Sequence, residues 1–368
     1  MKKLVFILFI LAGMFVYSQP QKNWSVFRGD QQLQGVSASK IPSHPKLIWS
    51  FDTGDMIKSA PVAASGKIVV GSTSGVVFCL DIQGRKVWEY ETENSIEAPA
   101  LILGNTAYIG NLDGQLLAID LNSGKLKWEY QCENQISGSP NYWSEGGKTS
   151  IVVGSYDFYL HCVDAETGEV RWKYETDNFV NGAAACYNGQ AVFGGCDGFL
   201  HFVDIATGKL MTKIDVATYV ASSVTVAGNK VYLGDYDGIF SEVDIASGKV
   251  SWFWEDPGTR LPFIASPAVK GDKVVIGNND KHIYCFDRNT GNLKWKHNTG
   301  RKVDASCVIS GSNVLAANTR GDLLILNLSD GKPVWSYELG SAVVNNPAVF
   351  SNKIVVGAYD GFVYCFGE

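Results

Sequence analysis

The sequence predicts an all-β fold: an eight-bladed β-propeller of four-stranded antiparallel blades, its ring closed by an N-terminal strand that completes the last blade. Three observations predict it. A tryptophan recurs about every forty residues, four short strand-like segments fill each interval, and the first repeat starts out of phase with the end of the last.

From the N-terminus, Lys2 and Lys3 precede an apolar run from Leu4 to Val16, and Val16-Tyr17-Ser18 offers a cleavage site before Gln19. Residues 1–18 therefore read as a secretory signal peptide, too short for a membrane span. No cysteine follows the run, and Cys79 is the first in the chain, so no lipid anchor is expected. No later segment has the ~20 apolar residues of a transmembrane helix. Residues 19–45 form a lead-in and residues 46–368 the propeller. The formal net charge is −6 and becomes more negative once Lys2 and Lys3 are removed. An acidic chain with no basic run excludes nucleic acid as the expected partner.

The markers are Trp49, Trp88, Trp128, Trp172, Trp252, Trp295 and Trp335, with Thr212 where the series skips one. Counting Thr212, the steps are 39, 40, 44, 40, 40, 43 and 40 residues. Each unit opens with a small, often proline-led segment, such as Ser59 to Ala64, Glu97 to Leu103 or Asn346 to Phe350. A β-branched run ending in glycine follows, as in KIVVG at Lys67 and KVYLG at Lys230. After an Asp-Gly type of turn comes a third segment ending in aspartate, then a Thr/Ser-Gly turn and the tryptophan-bearing segment. Short β-branched and aromatic runs between such turns are hairpin-linked antiparallel strands. The middle strands are apolar at successive positions, so both their faces are buried. No 3.6-residue period persists beyond residue 19, and little helix is expected.

Closure follows from two details. Pro61, Pro99, Pro140, Pro267 and Pro347 lead first segments, and proline belongs at the start of an edge strand, here the one facing the central channel. Trp49 lies in a fourth segment (Lys46 to Phe51) with no unit before it, while the last unit stops at Phe366 after its third. The N-terminal segment thus supplies the outer strand of blade 8.

Cys79, Cys162, Cys285 and Cys365 occupy one position in four repeats. Equivalent positions in sheets ~10 Å apart exceed the ~7 Å that a disulfide bridges, so these read as small buried hydrophobes. The redox state of Cys132, Cys186, Cys196 and Cys307 stays open. His161 and His201 are too far apart by the same spacing to share one ion, and no metal site is expected. The Asp-x-x-Thr/Ser-Gly elements and Gly277 to Asp280 read as turns.

Before each inner strand stands an apolar, a variable and a small residue. The variable position reads Lys58, Glu97, Ser137, Asn181, Ala221, Ile264, Asp304 and Asn345 around the ring. A scaffold that varies one position lets that position carry specificity, so the candidate ligand or partner rim comprises Lys58, Glu97, Asn181, Asp304 and Asn345. Tyr236, Arg260, Arg301 and Tyr359 join it from loops at the same end.

The unit x-x-D-x-x-[TS]-G-x-x-x-W, seen at Asp120 to Trp128, Asp164 to Trp172, Asp244 to Trp252 and Asp287 to Trp295, resembles the PQQ-repeat family. That family is named for pyrroloquinoline quinone dehydrogenases and shared with BamB-like envelope scaffolds. The resemblance runs from about Lys46 to Phe366, and Trp24 to Gly29 resembles the lead-in of many secreted members. It implies that the repeat tryptophans dock between neighbouring blades. The adjacent cysteine pair of the quinoprotein enzymes, the Cys-x-x-Cys-His of their cytochrome-bearing versions and the lipobox cysteine of the assembly scaffold are all absent from the sequence. The leading expectation is a periplasmic or secreted, non-enzymatic scaffold without cofactor, binding a protein partner in the cell envelope, or a small ligand, at the channel rim. The alternatives are a PQQ-dependent oxidoreductase with PQQ and calcium at the channel mouth, and a carbohydrate-binding propeller using Phe179, Tyr219 and Phe263.

Overall fold

A computed structural model describes residues 23–220 and 222–368; the expected signal peptide and Ala221 lie outside them. The described residues form eight antiparallel sheets arranged as blades, and their one helical element is a 3-10 turn at Phe27–Gly29. Strands are numbered in chain order. Blade 1 consists of β3 (Val62–Ala64), β4 (Lys67–Gly71), β5 (Val76–Asp81) and β6 (Lys86–Glu91), from the channel outward. Ile68, Val69 and Val70 of β4 are fully buried, as a strand covered on both faces requires, whereas β6 alternates toward solvent.

Blade 8 is completed as the offset register requires. β2 (Lys46–Asp52) pairs with β33 (Phe362–Gly367), with Trp49 opposite Cys365. This joins the chain's two ends through a strand ladder.

The tryptophans owe their orientation to a local irregularity. In all eight blades the outer ladder slips by one residue beside the tryptophan position, as between Leu126 and Trp128. Such a bulge twists the strand and redirects its side chain, here over the turn of the next blade. The indole Nε1 of Trp49, Trp88, Trp128, Trp172, Trp252 and Trp295 donates to the carbonyl of Ile82, Leu121, Ala165, Ile205, Arg288 and Leu328, at 2.8–3.1 Å. Trp335 instead meets Phe366 of blade 8 edge-on, with ring centroids 6.0 Å apart. The turn glycine beneath each of those six bonded indoles has no room for a side chain: a Cβ on Gly208 would lie 2.6 Å from Trp172.

The lead-in departs most from the sequence expectation. It lies within the ring, not ahead of it, crossing the channel at the end where the inner strands finish. Trp24 and Ala63 exchange two backbone bonds of 2.8 Å. The amides of Ile102, Cys186, Val226, Val269 and Ile309 then donate in turn to the carbonyls of Ser25, Gln31, Gln32, Gln34 and Gly35. Gln31 Nε2 reaches the carbonyl of Tyr142, and Ser37 Oγ that of Val349. Every one of the eight innermost strands is thus bonded to the lead-in. β1 (Val36–Ser37) even pairs in parallel with the inner strand of blade 7, making that sheet five-stranded.

Candidate functional site

With the lead-in across one end, the channel is a blind cup opening at the other. The connectors that precede the inner strands build its wall. Their apolar residue is a wedge: the space a Cβ would take on Gly71 is filled by Ile96, that on Gly110 by Ile136 and that on Gly234 by Phe263. With the apolar side chain held between blades, the next residue turns toward the channel. The small residues after it form a polar belt between blades. Ser59 Oγ donates to the Ala98 carbonyl (3.0 Å), the Ala183 amide to Ser223 Oγ (2.9 Å), the Ser266 amide to Ser306 Oγ (2.7 Å), and the Ser306 amide to Asn346 Oδ1 (2.7 Å). The cup encloses about 180 Å³, and Phe27 of the lead-in is among its lining residues.

Of the rim residues expected from the sequence, Lys58, Glu97, Asn181, Asp304 and Asn345 line the cup. Lys58 Nζ lies 2.6 Å from Glu97 Oε1 across the seam of blades 1 and 2. That bond to Glu97 raises the ammonium above its ordinary pKa. Burial pushes the Asp304 carboxyl up, with Lys302 as partial compensation. The charges are therefore asymmetric: a self-neutralised pair on one side and a single carboxylate on blade 7.

Asn345 requires a correction. The Val343 amide bonds the Asn318 carbonyl as the Val303 amide bonds that of Asn278, which sets Val344, not Asn345, at the variable position of blade 8. Val344 lines the cup as Asp304 does. Asn345 stands at the small position, is buried, and braces the ring by donating through Nδ2 to the carbonyls of Ile57 and Gly357, both at 3.0 Å. Two successive asparagines after two valines shift the pattern by one residue when read without coordinates.

Tyr236, Arg260, Arg301 and Tyr359 occupy loops at the mouth end but are not among the residues lining the cup. Tyr236 is exposed and its amide donates to the Tyr219 carbonyl; Arg260 pairs with Glu255; Arg301 caps the Gly300 carbonyl. Tyr219 is likewise exposed, and Phe179 packs at a tilt against Tyr156 and Phe158. Phe263 offers no platform, because it is the fully buried wedge of blade 6, packed against Phe240 and Tyr284. Sequence reading missed the serine belt, although its small residues were visible in the pattern, and it missed Phe27, for which no repeat gave a signal.

All eight cysteines are free thiols, and all but Cys196 are buried. Burial pushes the thiols of Cys79, Cys132, Cys285, Cys307 and Cys365 up to about 12, far from nucleophilic at neutral pH.

The family described as outer membrane protein assembly factor BamB matches residues 42–141, 134–209, 185–281 and 279–366. The human beta-alanine-activating enzyme is 34% identical over 100 residues, which is 25% of this chain and 9% of the enzyme. The outer membrane protein assembly factor BamB of Burkholderia pseudomallei is 29% identical over 85 residues, 23% of this chain and 22% of that protein. The matched stretches thus span well under two thirds of these relatives. Among solved structures, BamB from Moraxella catarrhalis superposes with a TM-score of 0.74 at 21% identity, covering 88% of this chain and 98% of that one. A europium-containing methanol dehydrogenase gives 0.80 at 13% identity, covering 95% and 99%. At such identities the likeness is one of fold.

Proposed function

The chain belongs to the family described as outer membrane protein assembly factor BamB, and from that premise we propose that it is an exported, non-enzymatic scaffold holding a protein partner on its mouth face. The observation that carries this is the shape of the mouth. A cup of about 180 Å³ falls below the roughly 300–1,000 Å³ of sites that engulf a small molecule. Around it stands a broad face of loops bearing Tyr219 and Tyr236, each more than half exposed, and the exposed Met56, Phe158 and Leu261. Aromatic side chains on an exposed face, encircling a polar centre, suit a protein interface. Export rests on the expected signal peptide at residues 1–18 and agrees with the described residues, in which no helix is long and apolar enough to cross a membrane.

The second reading, a PQQ-dependent oxidoreductase with calcium at the mouth, draws on the likeness to the methanol dehydrogenase. The residues present do not fit that pair. Glu97 is engaged by Lys58, Asp304 stands alone on blade 7, and Asn345 spends its amide on the ring. Calcium is held by 6–8 oxygens, including carboxylates, and this rim brings no two free carboxylates together.

Both readings are tested in one protein. A photo-crosslinking residue in place of Tyr219 or Tyr236, in the native host, should yield a discrete protein adduct that is missing when the same residue replaces Thr167 on the opposite face. Titration with PQQ and Ca²⁺ should give no saturable heat. Adducts equally frequent from both faces, or saturable PQQ binding, would overturn the scaffold reading.

A further inference from the structure

His161 and His201, which sequence spacing keeps from sharing an ion, each head a separate buried cluster. His161 Nε2 lies 3.0 Å from both carboxylate oxygens of Asp157, and its Nδ1 is 2.9 Å from the Tyr130 hydroxyl. His201 repeats this one blade on, with Asp197 at 2.9 Å and Tyr174 at 3.0 Å. In both, the bonds are satisfied when the tyrosine donates to Nδ1 and Nε2–H donates to the aspartate. As such the motif is a brace between blades.

The two clusters differ in the residue two places after the tyrosine, and in Phe193, which stacks on His201 where Val153 faces His161. Beside His201 stands Thr176, whose hydroxyl donates to the carbonyls of Phe158 (2.8 Å) and Asn178 (2.6 Å). Thr53, Thr92 and Thr299 do the same in their own blades. Beside His161 that place is taken by Cys132. There the loop is held by other groups: Gln131 Nε2 donates to the carbonyls of Asp113 and Cys132, both at 2.7 Å, and Ser155 Oγ to that of Asn134 at 2.9 Å. The thiol points to the same pocket as the histidine. Cys132 Sγ, an oxygen of Asp157 and a ring nitrogen of His161 all fall within 4.8 Å of one another, with Cys132 and His161 buried.

We propose that Cys132, Asp157 and His161 bind one Zn²⁺ in the seam between blades 2 and 3. A thiolate, an imidazole and a carboxylate are the donors that borderline-soft zinc takes, and this mixture disfavours calcium and magnesium. Around zinc such donors stand roughly 3.5 Å apart, given bond lengths of about 2.0–2.3 Å, so on binding the thiol approaches by about 1 Å while the Asp157–His161 pair, now 3.0 Å apart, opens slightly. The Cys132 thiol proton leaves to solvent as the zinc–sulfur bond forms. The His161 proton passes from Nε2, which becomes the ligand, to Nδ1, and Tyr130 turns from donor to acceptor. Tyr130 is then the outer partner that orients a ligating histidine. Three protein ligands leave the fourth position of a tetrahedral ion to water.

The test uses the full exported chain, stripped by chelator and titrated with Co²⁺ and then Zn²⁺. One cobalt per chain should bind, with the near-ultraviolet absorption of a thiolate–cobalt bond, and zinc should displace it. Cys132→Thr installs the residue that neighbouring blades carry and should abolish the band, while Cys196→Ser should leave it unchanged. Thr176→Cys adds a thiol beside Asp197 and His201 and should raise the stoichiometry from one to two. A wild-type chain without the band at excess cobalt, or a band that survives Cys132→Thr, overturns the proposal. If Cys132→Thr fails to fold, Thr176→Cys decides: a stoichiometry that stays at one overturns it.

Discussion

At Asp235 the chain keeps a carboxylate where other blades manage without one. It follows the second strand of blade 5, is 5% exposed, and accepts the Ile239 amide at 2.8 Å. Burial raises its pKa to about 6, only partly offset by that amide. Between the ordinary carboxylate value near 4 and about 6, the folded state then holds a proton that the unfolded chain has lost. Stability contributed here therefore falls as pH rises through that window and is level above it. Asn111, Asn278 and Asn318 fill the same place in other blades and accept loop amides through Oδ1. Asp235→Asn should accordingly stabilise the protein by about 1–3 kcal/mol at pH 7 and change little at pH 4; denaturant midpoints at the two pH values check it. Arg28 presents the opposite case. It is fully buried, and its guanidinium donates to the carbonyls of Cys307 (2.7 Å) and Pro267 (2.9 Å), while burial lowers its pKa to about 10. Arg28→Met would strand the Cys307 carbonyl, leave that of Pro267 with the Thr225 hydroxyl as its side-chain donor, and should cost about 2–4 kcal/mol in equilibrium unfolding. Nothing in the sequence signalled this. An arginine between aromatic residues and a glycine reads as a solvated loop residue, because its partners are backbone carbonyls more than 200 positions away.

The blade is the scale at which sequence was most informative, because each strand writes its burial into composition and the writing is repeated eight times. The doubly buried middle strands, the turn glycines and the tryptophans were all legible, down to the pairing of Lys46–Asp52 with the last strand. Misreadings came where a repeat position serves the seam instead of the surface: Phe263 is a wedge on Gly234, and Asn345 a brace. The seams also differ in a way that predicts stability. A Cβ on Gly124 would lie within 3 Å of Trp88, but on Gly248, at the seam that Thr212 leaves without an indole, the nearest atom is Ile214 Cδ1 at 3.8 Å. Trp88 is buried and bonded to the Leu121 carbonyl at 2.9 Å, so Trp88→Ala should cost about 3–5 kcal/mol. Thr212→Trp should restore the missing contact and stabilise by about 1 kcal/mol or more. Thermal unfolding of the two variants gives the comparison, and a destabilising Thr212→Trp would mean that neighbouring side chains have already closed over that seam.

A propeller leaves eight inner edge strands facing one axis, each with backbone groups that its own sheet cannot pair. Edges of this kind are otherwise shortened or covered. Here seven of the inner strands are three residues long and the lead-in bonds the middle residue of each; in the eighth, Asn141–Glu145, it bonds the second, Tyr142. Ring closure and channel closure are therefore separate devices: β2 against β33 joins the ends of the chain, whereas residues 24–37 lash the blades to one another at the far end of the cup. A chain that begins at Ile41 tests the separation. It retains Lys46–Asp52 and should still fold into a closed ring, with unfolding shifted to lower denaturant by several kcal/mol as buried donors lose their acceptors. Hydrogen exchange should then locate the loss. The amides of Ile102, Cys186, Val226, Val269 and Ile309 lose protection because their acceptors lie in the removed segment, while those inside the β4–β5 ladder keep theirs. Should the shortened chain show no cooperative transition, the lash would be a condition of folding. Should the five amides stay protected, the channel would be closed to water by the blades themselves, and the lead-in would be only a passenger on them.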